Sequence, residues 1–370
     1  MWRLNRFFVL SLVILGLVLP GAGWQKIKNQ DGVKIIENSN KPKLATPIKF
    51  ELELTVGQNE DPEQSLAQPL GLVVDEDGQI YVVDSKEAKI KIFSPEGKFV
   101  RSFGQKGQGP GELNMPSGIN LTADGRLLVE DALNRKMIFF SLEGEFLEEK
   151  SLATKLGLVN LLVDREDNFI AREITVEESK MYFVIKKFKP DLTEIFQLDK
   201  VNFPNPLQGK INLFNIMTYY QFDSQGNILY AKNDQYEIKY YSPGEKLFQI
   251  VEKKYKKVKI TKEDIEEMLE KIPSTQGANV KNRLVFPDYF PPISYLSVDR
   301  SNQVYVRTYD KGQRKNEYWI DIFDDQGIFV ARSLTTAIPL FWRKKKAYSI
   351  EEDENGYQVV RRYLVRWPNQ

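Results

Sequence analysis

Short apolar runs alternate with polar turns along most of this chain. Leu70–Val74 is followed by the turn Asp77-Gly78, then Gln79–Val83, a loop, Lys89–Phe93, the turn Glu96-Gly97 and Lys98–Phe103. Runs of this length, with apolar and polar residues alternating, predict strands. Asp-Gly and Glu-Gly between them predict tight hairpins, because glycine accepts the positive φ such turns need. The pattern then starts again. Gly57, Pro69 and Gly71 recur as Gly104, Pro116 and Gly118, and Gly78, Asp84 and Gly97 recur as Gly125, Asp131 and Gly144, each 47 positions later. The second unit runs through Asp124-Gly125, Arg126–Glu130, Lys136–Phe140, Glu143-Gly144 and Glu145–Glu149. A fixed period of this length, built from short strands, is the signature of a β-propeller blade.

Later units are degenerate but readable. The third turns at Asp167-Asn168, the fourth at Gln225-Gly226 and Pro243-Gly244, and the fifth at Ser301-Asn302 and Gln326-Gly327. The last unit has to be assembled from both ends of the chain. Ala337–Trp342, Ala347–Glu352 and Tyr357–Trp367 lie at the C-terminal end, with Asn355-Gly356 as a turn that fits either of two strand orders. Phe50–Val56 supplies the remaining strand, since a strand from the N-terminal side removes the exposed edge of an open sheet. The expected fold is therefore all-β: a six-bladed propeller over residues 45–370, its ring closed by an N-terminal strand in the last blade. A short helical insertion interrupts it at 253–290. There Thr261 and Asp264 form a capping box, and Ile265, Met268, Leu269 and Ile272 follow at helical spacing before Pro273. That helix reads either as a cover for an apolar patch on the rim or as a lid over a binding face.

The N-terminus has its own pattern. Arg3 and Arg6 precede an apolar run from Phe7 to Pro20, then Gly21-Ala22-Gly23. A positive start, a short apolar stretch and small exit residues read as a secretory signal over 1–23, which places the protein in the periplasm or outside the cell. The alternative is an uncleaved anchor, for which the run is short against the roughly 20 residues a span needs. Residues 24–44 are polar with little periodicity and read as a linker, with one short strand at Val33–Ile36.

Composition narrows the chemistry. Lys and Arg number 52 against 51 Asp and Glu, a balance without the basic excess that nucleic acid demands. The chain has no His and no Cys. This excludes imidazole- and thiolate-held zinc, Ser-His-Asp and Cys-His catalysis, disulfides, and a lipid attached through cysteine. No cofactor is called for.

Several motifs invite sharper readings. Gly104-Gln-Lys-Gly107-Gln-Gly109-Pro-Gly111-Glu112 is glycine-rich but lacks the Gly-Lys-Ser/Thr ending of a phosphate loop and precedes a strand, so it reads as an inter-blade crossover. Asp75-Glu-Asp77-Gly78 resembles part of a calcium loop without its bidentate Glu, and reads as a hairpin turn. Phe93, Phe139, Phe140, Tyr240, Tyr241 and Phe323 fall in third strands and are expected to pack between blades. Arg343–Lys346 is the densest positive run noted, either a solvated turn or a contact for an anionic partner. Function in a propeller belongs where loops converge on the channel mouth. The candidates there are Asp84, Asp131 and Arg135, together with Arg172, Glu173 and Arg307 at the ends of second strands. Opposed charges at such a place either grip a polar ligand or simply pair with one another. Asp84 and Asp131 recur by repeat, which also suits bonding to loop amides.

Asp77-Gly-Gln-Ile-Tyr-Val-Val-Asp84, with Lys89-Ile-Lys-Ile-Phe-Ser-Pro-Glu-Gly-Lys-Phe99, resembles the NHL repeat. The Phe103–Leu113 crossover looks like that of exported bacterial six-bladed propellers. The resemblance covers 66–150 strongly and 155–367 weakly. It implies a family of protein- and ligand-binding modules with a few lyases and lactonases. The lyases' His is absent here, and no set of lactonase carboxylates carries over. Three functions stand open: a non-catalytic module binding a protein or a small polar ligand, a metal-assisted hydrolase using carboxylates at the channel mouth, and a carbohydrate binder.

Overall fold

The computed structural model describes residues 24–152, 157–203, 209–214, 217–270, 272 and 281–368. The candidate signal at 1–23 and the helix-stopping Pro273 lie outside the described residues. Six antiparallel sheets form the blades of a propeller. Blade 1 is Pro69–Val74, Ile80–Asp84, Lys89–Phe93 and Phe99–Phe103, and blade 2 is Pro116–Leu121, Leu127–Asp131, Lys136–Phe140 and Phe146–Ser151. Blade 3 is Leu158–Val163, Phe169–Glu177, Lys180–Phe188 and Glu194–Phe203. Blade 4 contains Thr218–Phe222, Ile228–Lys232, Glu237–Tyr241 and Leu247–Lys253, and blade 5 is Tyr295–Val298, Val304–Lys311, Tyr318–Phe323 and Phe329–Thr335.

Blade 6 joins Phe341–Arg343, Lys346–Glu352 and Gln358–Arg366 to Lys49–Val56 from the N-terminal side. Lys49–Val56 runs antiparallel to Gln358–Arg366, with Val56 opposite Val360 and Lys49 opposite Arg366. Asn355-Gly356 therefore turns from the second strand to the third. The first strand is shorter than the Ala337–Trp342 expected for it. Pro339 has no amide to donate to a ladder, and pairing starts only at Phe341 opposite Tyr348.

Apolar faces of neighbouring blades fill the seams between them, which follows from strands whose two faces are both covered. Phe93 packs with Val56, Tyr348 and Val360 between blades 6 and 1, and Phe140 joins Ile138, Val83 and Ile90 between blades 1 and 2. Phe139, Tyr240 and Phe323 also lie in such seams, as their third-strand positions suggested.

The segment read as a linker is more structured than its polarity suggested. Gln25–Gln30 and Val33–Asn38 form a hairpin on the outer edge of blade 4, which becomes a six-stranded sheet. Val33–Asn38 runs parallel to Leu247–Lys253. Ile36, fully buried, packs with Val251, Phe323 and Phe329. Burial of such a side chain stabilises by about 1.5–3 kcal/mol. Asn38 fastens the junction: its Nδ2 donates to the Gly327 carbonyl at 3.0 Å and its Oδ1 accepts from the Phe329 amide at 2.9 Å. The amides of Lys43 and Leu44 then donate to the carbonyls of Phe329 and Val330, and the Ser333 hydroxyl donates to the Ile48 carbonyl. The N-terminal segment thus straps the outer edges of blades 4, 5 and 6 in succession.

The insertion carries helix α1, Lys262–Glu270. Its capping box is formed: the Asp264 amide donates to Thr261 Oγ1 at 3.2 Å, and the Thr261 amide donates to Asp264 Oδ2 at 2.9 Å. An ion pair from Lys311 to Asp264 Oδ1, at 2.6 Å, ties the helix to blade 5. The 343–346 run is a hairpin turn with positive φ at Lys344 and Lys345. Its flanking cations are already engaged, Arg343 with Glu76 at 2.5 Å and Lys346 with Glu53 at 2.9 Å.

Candidate functional site at the channel mouth

The six candidate residues divide into two groups. Asp84 and Asp131 are fully buried and serve their own loops. The Asp84 carboxylate accepts from the amides of Ala67 at 2.7 Å and Gln68 at 3.2 Å. Asp131 does the same for Asn114 at 2.6 Å and Met115 at 3.2 Å. Asn233 holds the matching place in blade 4, accepting from the Met217 amide at 2.7 Å. These side chains clamp the strap that enters each blade, so they offer no free oxygen to a ligand. Arg135 is exposed on the turn after Asp131 with φ +50. Glu173 is buried in an ion pair with Lys186 at 2.8 Å.

Arg172 and Arg307 are different. Contrary to expectation neither they nor Glu173 end their strands, which pair on to Glu177 and Lys311; Arg172 and Arg307 are each the fourth residue of a second strand, where blade 1 has Val83 and blade 2 has Glu130. The Arg172 Nε donates to Thr218 Oγ1 at 3.0 Å, and its Nη2 donates to the Thr218 carbonyl. The rings of Phe183 and Tyr220 lie 5.8 and 5.6 Å from the guanidinium carbon. Arg172 therefore braces blade 3 against the innermost strand of blade 4. Arg307 stacks on Tyr318, with the guanidinium carbon 3.8 Å from the ring centre. Its Nη1 reaches Ser294 Oγ at 3.4 Å, and its buried Nε has no hydrogen-bond acceptor. Burial pulls the Arg307 pKa below its ordinary value, partly countered by the neighbouring tyrosines. Among the described residues no carboxylate lies within ion-pair distance of either guanidinium.

Tyrosines complete the site. Burial raises the Tyr219 hydroxyl; Tyr309 adds to that effect, while Arg172 and Arg307 both oppose it. Tyr219 therefore lies within the field of both cations. Its ring meets that of Tyr295 edge-on at 6.4 Å. Tyr309 stacks on Phe290 at 4.8 Å, and Phe214 meets both edge-on. The set is two guanidiniums and several phenols with no acid among them, an arrangement that attracts anions.

Beyond the Phe290–Tyr309 stack lies a pocket of 230 Å³ between blades 4 and 5. Its floor is ionic. Asp321, fully buried, accepts from Tyr236 at 2.6 Å and pairs with Lys253 at 3.2 Å and Arg332 at 2.9 Å. Arg332 also reaches Asp310 at 2.9 Å.

The other motifs resolve internally. The 104–112 loop holds a carboxylate of its own: Glu112 accepts from the Gly109 amide at 2.8 Å and from Gln105 at 2.7 Å. A Cβ at Gly107 would come within 1.9 Å of that carboxylate, which explains the glycine. Asp75 accepts from the Gln79 amide at 2.8 Å and the Tyr81 hydroxyl at 2.9 Å, as a turn residue. Among the described residues no three acidic side chains gather where a metal ion could be held.

Residues 25–330 match a family model described as DUF5128, a 6-bladed beta-propeller. Solved structures align over most of the chain. A candidate exported protein of Bacteroides fragilis aligns with TM-score 0.55 at 12% identity, over 90% of this chain and 100% of its own. A member of the DUF4221 family from Bacteroides vulgatus aligns with TM-score 0.51 at 9% identity, over 87% of this chain and 99% of its own. Virginiamycin B lyase from Staphylococcus aureus aligns with TM-score 0.47 at 9% identity, over 85% and 100%. At these identities the likeness speaks for the fold alone. No curated protein matches at a significant level.

Proposed function

Because the chain belongs to DUF5128, a family of six-bladed β-propellers, and that fold serves binders and enzymes alike, we propose from the site itself that it is an exported binding module whose channel mouth grips an anionic group. Export rests on the N-terminal pattern of Arg3, Arg6 and the apolar run to Pro20. The binding reading rests on Arg307, a partly buried guanidinium stacked on Tyr318 with no acid paired to it. Buried charge is ordinarily paired, so an unpaired cation at the mouth of a channel favours a ligand that brings the negative charge. A carboxylate or phosphate fits the fork of a guanidinium, and tyrosine hydroxyls can donate to it. A hydrolase using metal-bound water would need several oxygen ligands around one point. The donors gathered at this mouth are cationic and phenolic instead, which favours binding.

Calorimetric titration with inorganic phosphate and with citrate tests the proposal, with galactose as a neutral control. The anions are expected to bind and galactose is not. Arg307→Met keeps an unbranched apolar side chain over Tyr318 while removing the charge, and should weaken anion binding roughly thirtyfold or more. Equal binding by the variant, or binding of galactose alone, would overturn the assignment.

A further inference from the structure

A second surface on the rim of blade 4 carries a different signature. The segment 253–262 reads Lys-Lys-Tyr-Lys-Lys-Val-Lys-Ile-Thr-Lys. Lys253 is buried against Asp321, but Lys254, Lys256, Lys257, Lys259 and Lys262 are exposed, as is Tyr255. Among the described residues none of these five lysines has an acid within ion-pair distance. The N-terminal hairpin lies alongside. The Lys254 amide donates to the Asn38 carbonyl at 3.0 Å, and the Lys254 ammonium sits 4.9 Å from the centre of the Trp24 ring. Gln25–Gln30 is exposed along its whole length and adds Lys26, Lys28 and an Ile27 that is 53% exposed. On the other side the Lys257 ammonium lies 5.7 Å from the Tyr289 ring, itself 45% exposed. Trp24, Ile27, Tyr255 and Tyr289 are thus interleaved with seven lysines. Only Lys28 of these is neutralised, by Glu37 at 2.6 Å.

Lysines mixed with Trp and Tyr match the chemistry of a bilayer interface, where ammonium groups meet anionic headgroups and amphipathic rings sit at headgroup depth. The position in the chain points the same way. Only Gly21-Ala22-Gly23 separate Trp24 from the apolar run ending at Pro20, so a chain tethered or delivered by that run would have this face near the membrane. The acidic face of α1 turns its Asp264 and Glu267 to Lys311. We propose that the surface formed by Trp24–Lys28 and Lys254–Lys259 seats the propeller on an anionic lipid bilayer. The channel-mouth reading stands or falls independently of it.

Vesicle flotation of the full chain tests this, comparing vesicles of phosphatidylglycerol and phosphatidylcholine with vesicles of phosphatidylcholine alone. Any contribution of the apolar N-terminal run appears with both, so the readout is the ratio between them. We expect a clear preference for the anionic vesicles that collapses between ~50 and ~500 mM salt as charges are screened. Each lysine near such a surface strengthens partition about fivefold. Replacing Lys254, Lys256, Lys257 and Lys259 with Gln should therefore lower the ratio roughly tenfold or more, whereas the four Lys→Arg changes should preserve it. The side chains are exposed, and unchanged circular dichroism and melting of the variants show that the fold is kept. No anionic preference, a preference untouched by the Gln changes, or capture by soluble heparin without vesicle binding would each overturn the lipid assignment.

Discussion

The ionic floor between blades 4 and 5 yields a quantitative prediction. Asp321 is fully buried and meets Lys253 and Tyr236 through Oδ2 and Arg332 through Oδ1. Asp321→Asn keeps the shape and removes the charge. Breaking a buried pair from one side costs about 3–5 kcal/mol, because the partner charge is left in the interior. Part of that cost is offset here. The Lys253 ammonium keeps the rings of Tyr236 and Phe329, 4.8 and 4.7 Å away, which contribute about 1 kcal/mol together at partly desolvated positions. Arg332 keeps Asp310. The expected loss is about 2–4 kcal/mol, read as a lower urea midpoint with unchanged slope. Lys253→Met removes the stranded charge at similar volume. The double variant should be less destabilised than the two single variants summed, with a coupling of about 2–3 kcal/mol. A coupling below about 0.5 kcal/mol would refute the reasoning, since it would mean that solvent reaches the pair and screens it.

Two further outcomes follow from local geometry. Burial raises the Glu130 pKa above its ordinary 4.5, against hydrogen bonds from the Leu161 amide and Ser117 that lower it. A raised acid holds its proton longer in the folded state, so its contribution to stability falls as pH rises from 4.5 through the folded value. Glu130→Gln should remove that fall, so its stability relative to the native chain should improve with rising pH across this window in urea titrations. A difference that stays flat with pH would refute the assignment. Gly327 and Gly226 have nearly equal φ, +81° and +80°, but a Cβ at Gly327 would come within 2.5 Å of Val251 whereas one at Gly226 stays 3.8 Å from Pro243. Alanine at either costs about 1–2 kcal/mol of backbone strain. Gly327→Ala should cost a further ~1–3 kcal/mol of overpacking, and equal denaturation midpoints for the two variants would refute the contact.

Much of the fold was legible because its signals are local. The turn glycines at 78, 97, 125 and 144 all have positive φ, as their place between alternating runs required. The clamp aspartates recurred with the repeat and do a repeat's work. Of the hairpin at Gln25–Asn38 only the inner strand was legible, as Val33–Ile36, and the rest was not, for a physical reason. Its stability comes from Leu247–Lys253 and from Gly327 and Phe329, far away in sequence, while its own outer strand is polar and exposed. The charged residues of the blade 4–5 pocket did leave a trace. Asp321 interrupts the run Trp319-Ile-Asp-Ile-Phe323, and a carboxylate inside a buried strand demands a cation. The partner, Lys253, could not be named from spacing because it belongs to another blade.

The channel mouth shows why site residues were harder to read than blades. One structural position, the fourth residue of the second strand, carries Val83, Glu130, Arg172 and Arg307 in different blades. The position faces the neighbouring blade, and the fold tolerates each residue because each finds its own partner there: Val83 joins the apolar seam between blades 1 and 2, whereas Glu130 and Arg172 meet polar groups of the next blade. In blade 1 it is apolar, and in blade 2 it is an acid bonded to the blade 3 backbone through Leu161. In blade 3 it is a brace on Thr218. In blade 5 it is Arg307, whose guanidinium lies on the face of Tyr318 and whose Nε has no hydrogen-bond acceptor. A repeat makes the scaffold predictable by repeating, whereas a site arises where the repeat is broken. Arg172 and Arg307 could be marked by position alone, but Tyr219 and Tyr295 come from first strands and Tyr318 from a third, and no spacing connects them. The contrast between blade 2 and blade 5 is the basis of the proposed anion site: one position holds a carboxylate bonded to the blade 3 backbone in the first and a guanidinium with no paired acid in the second.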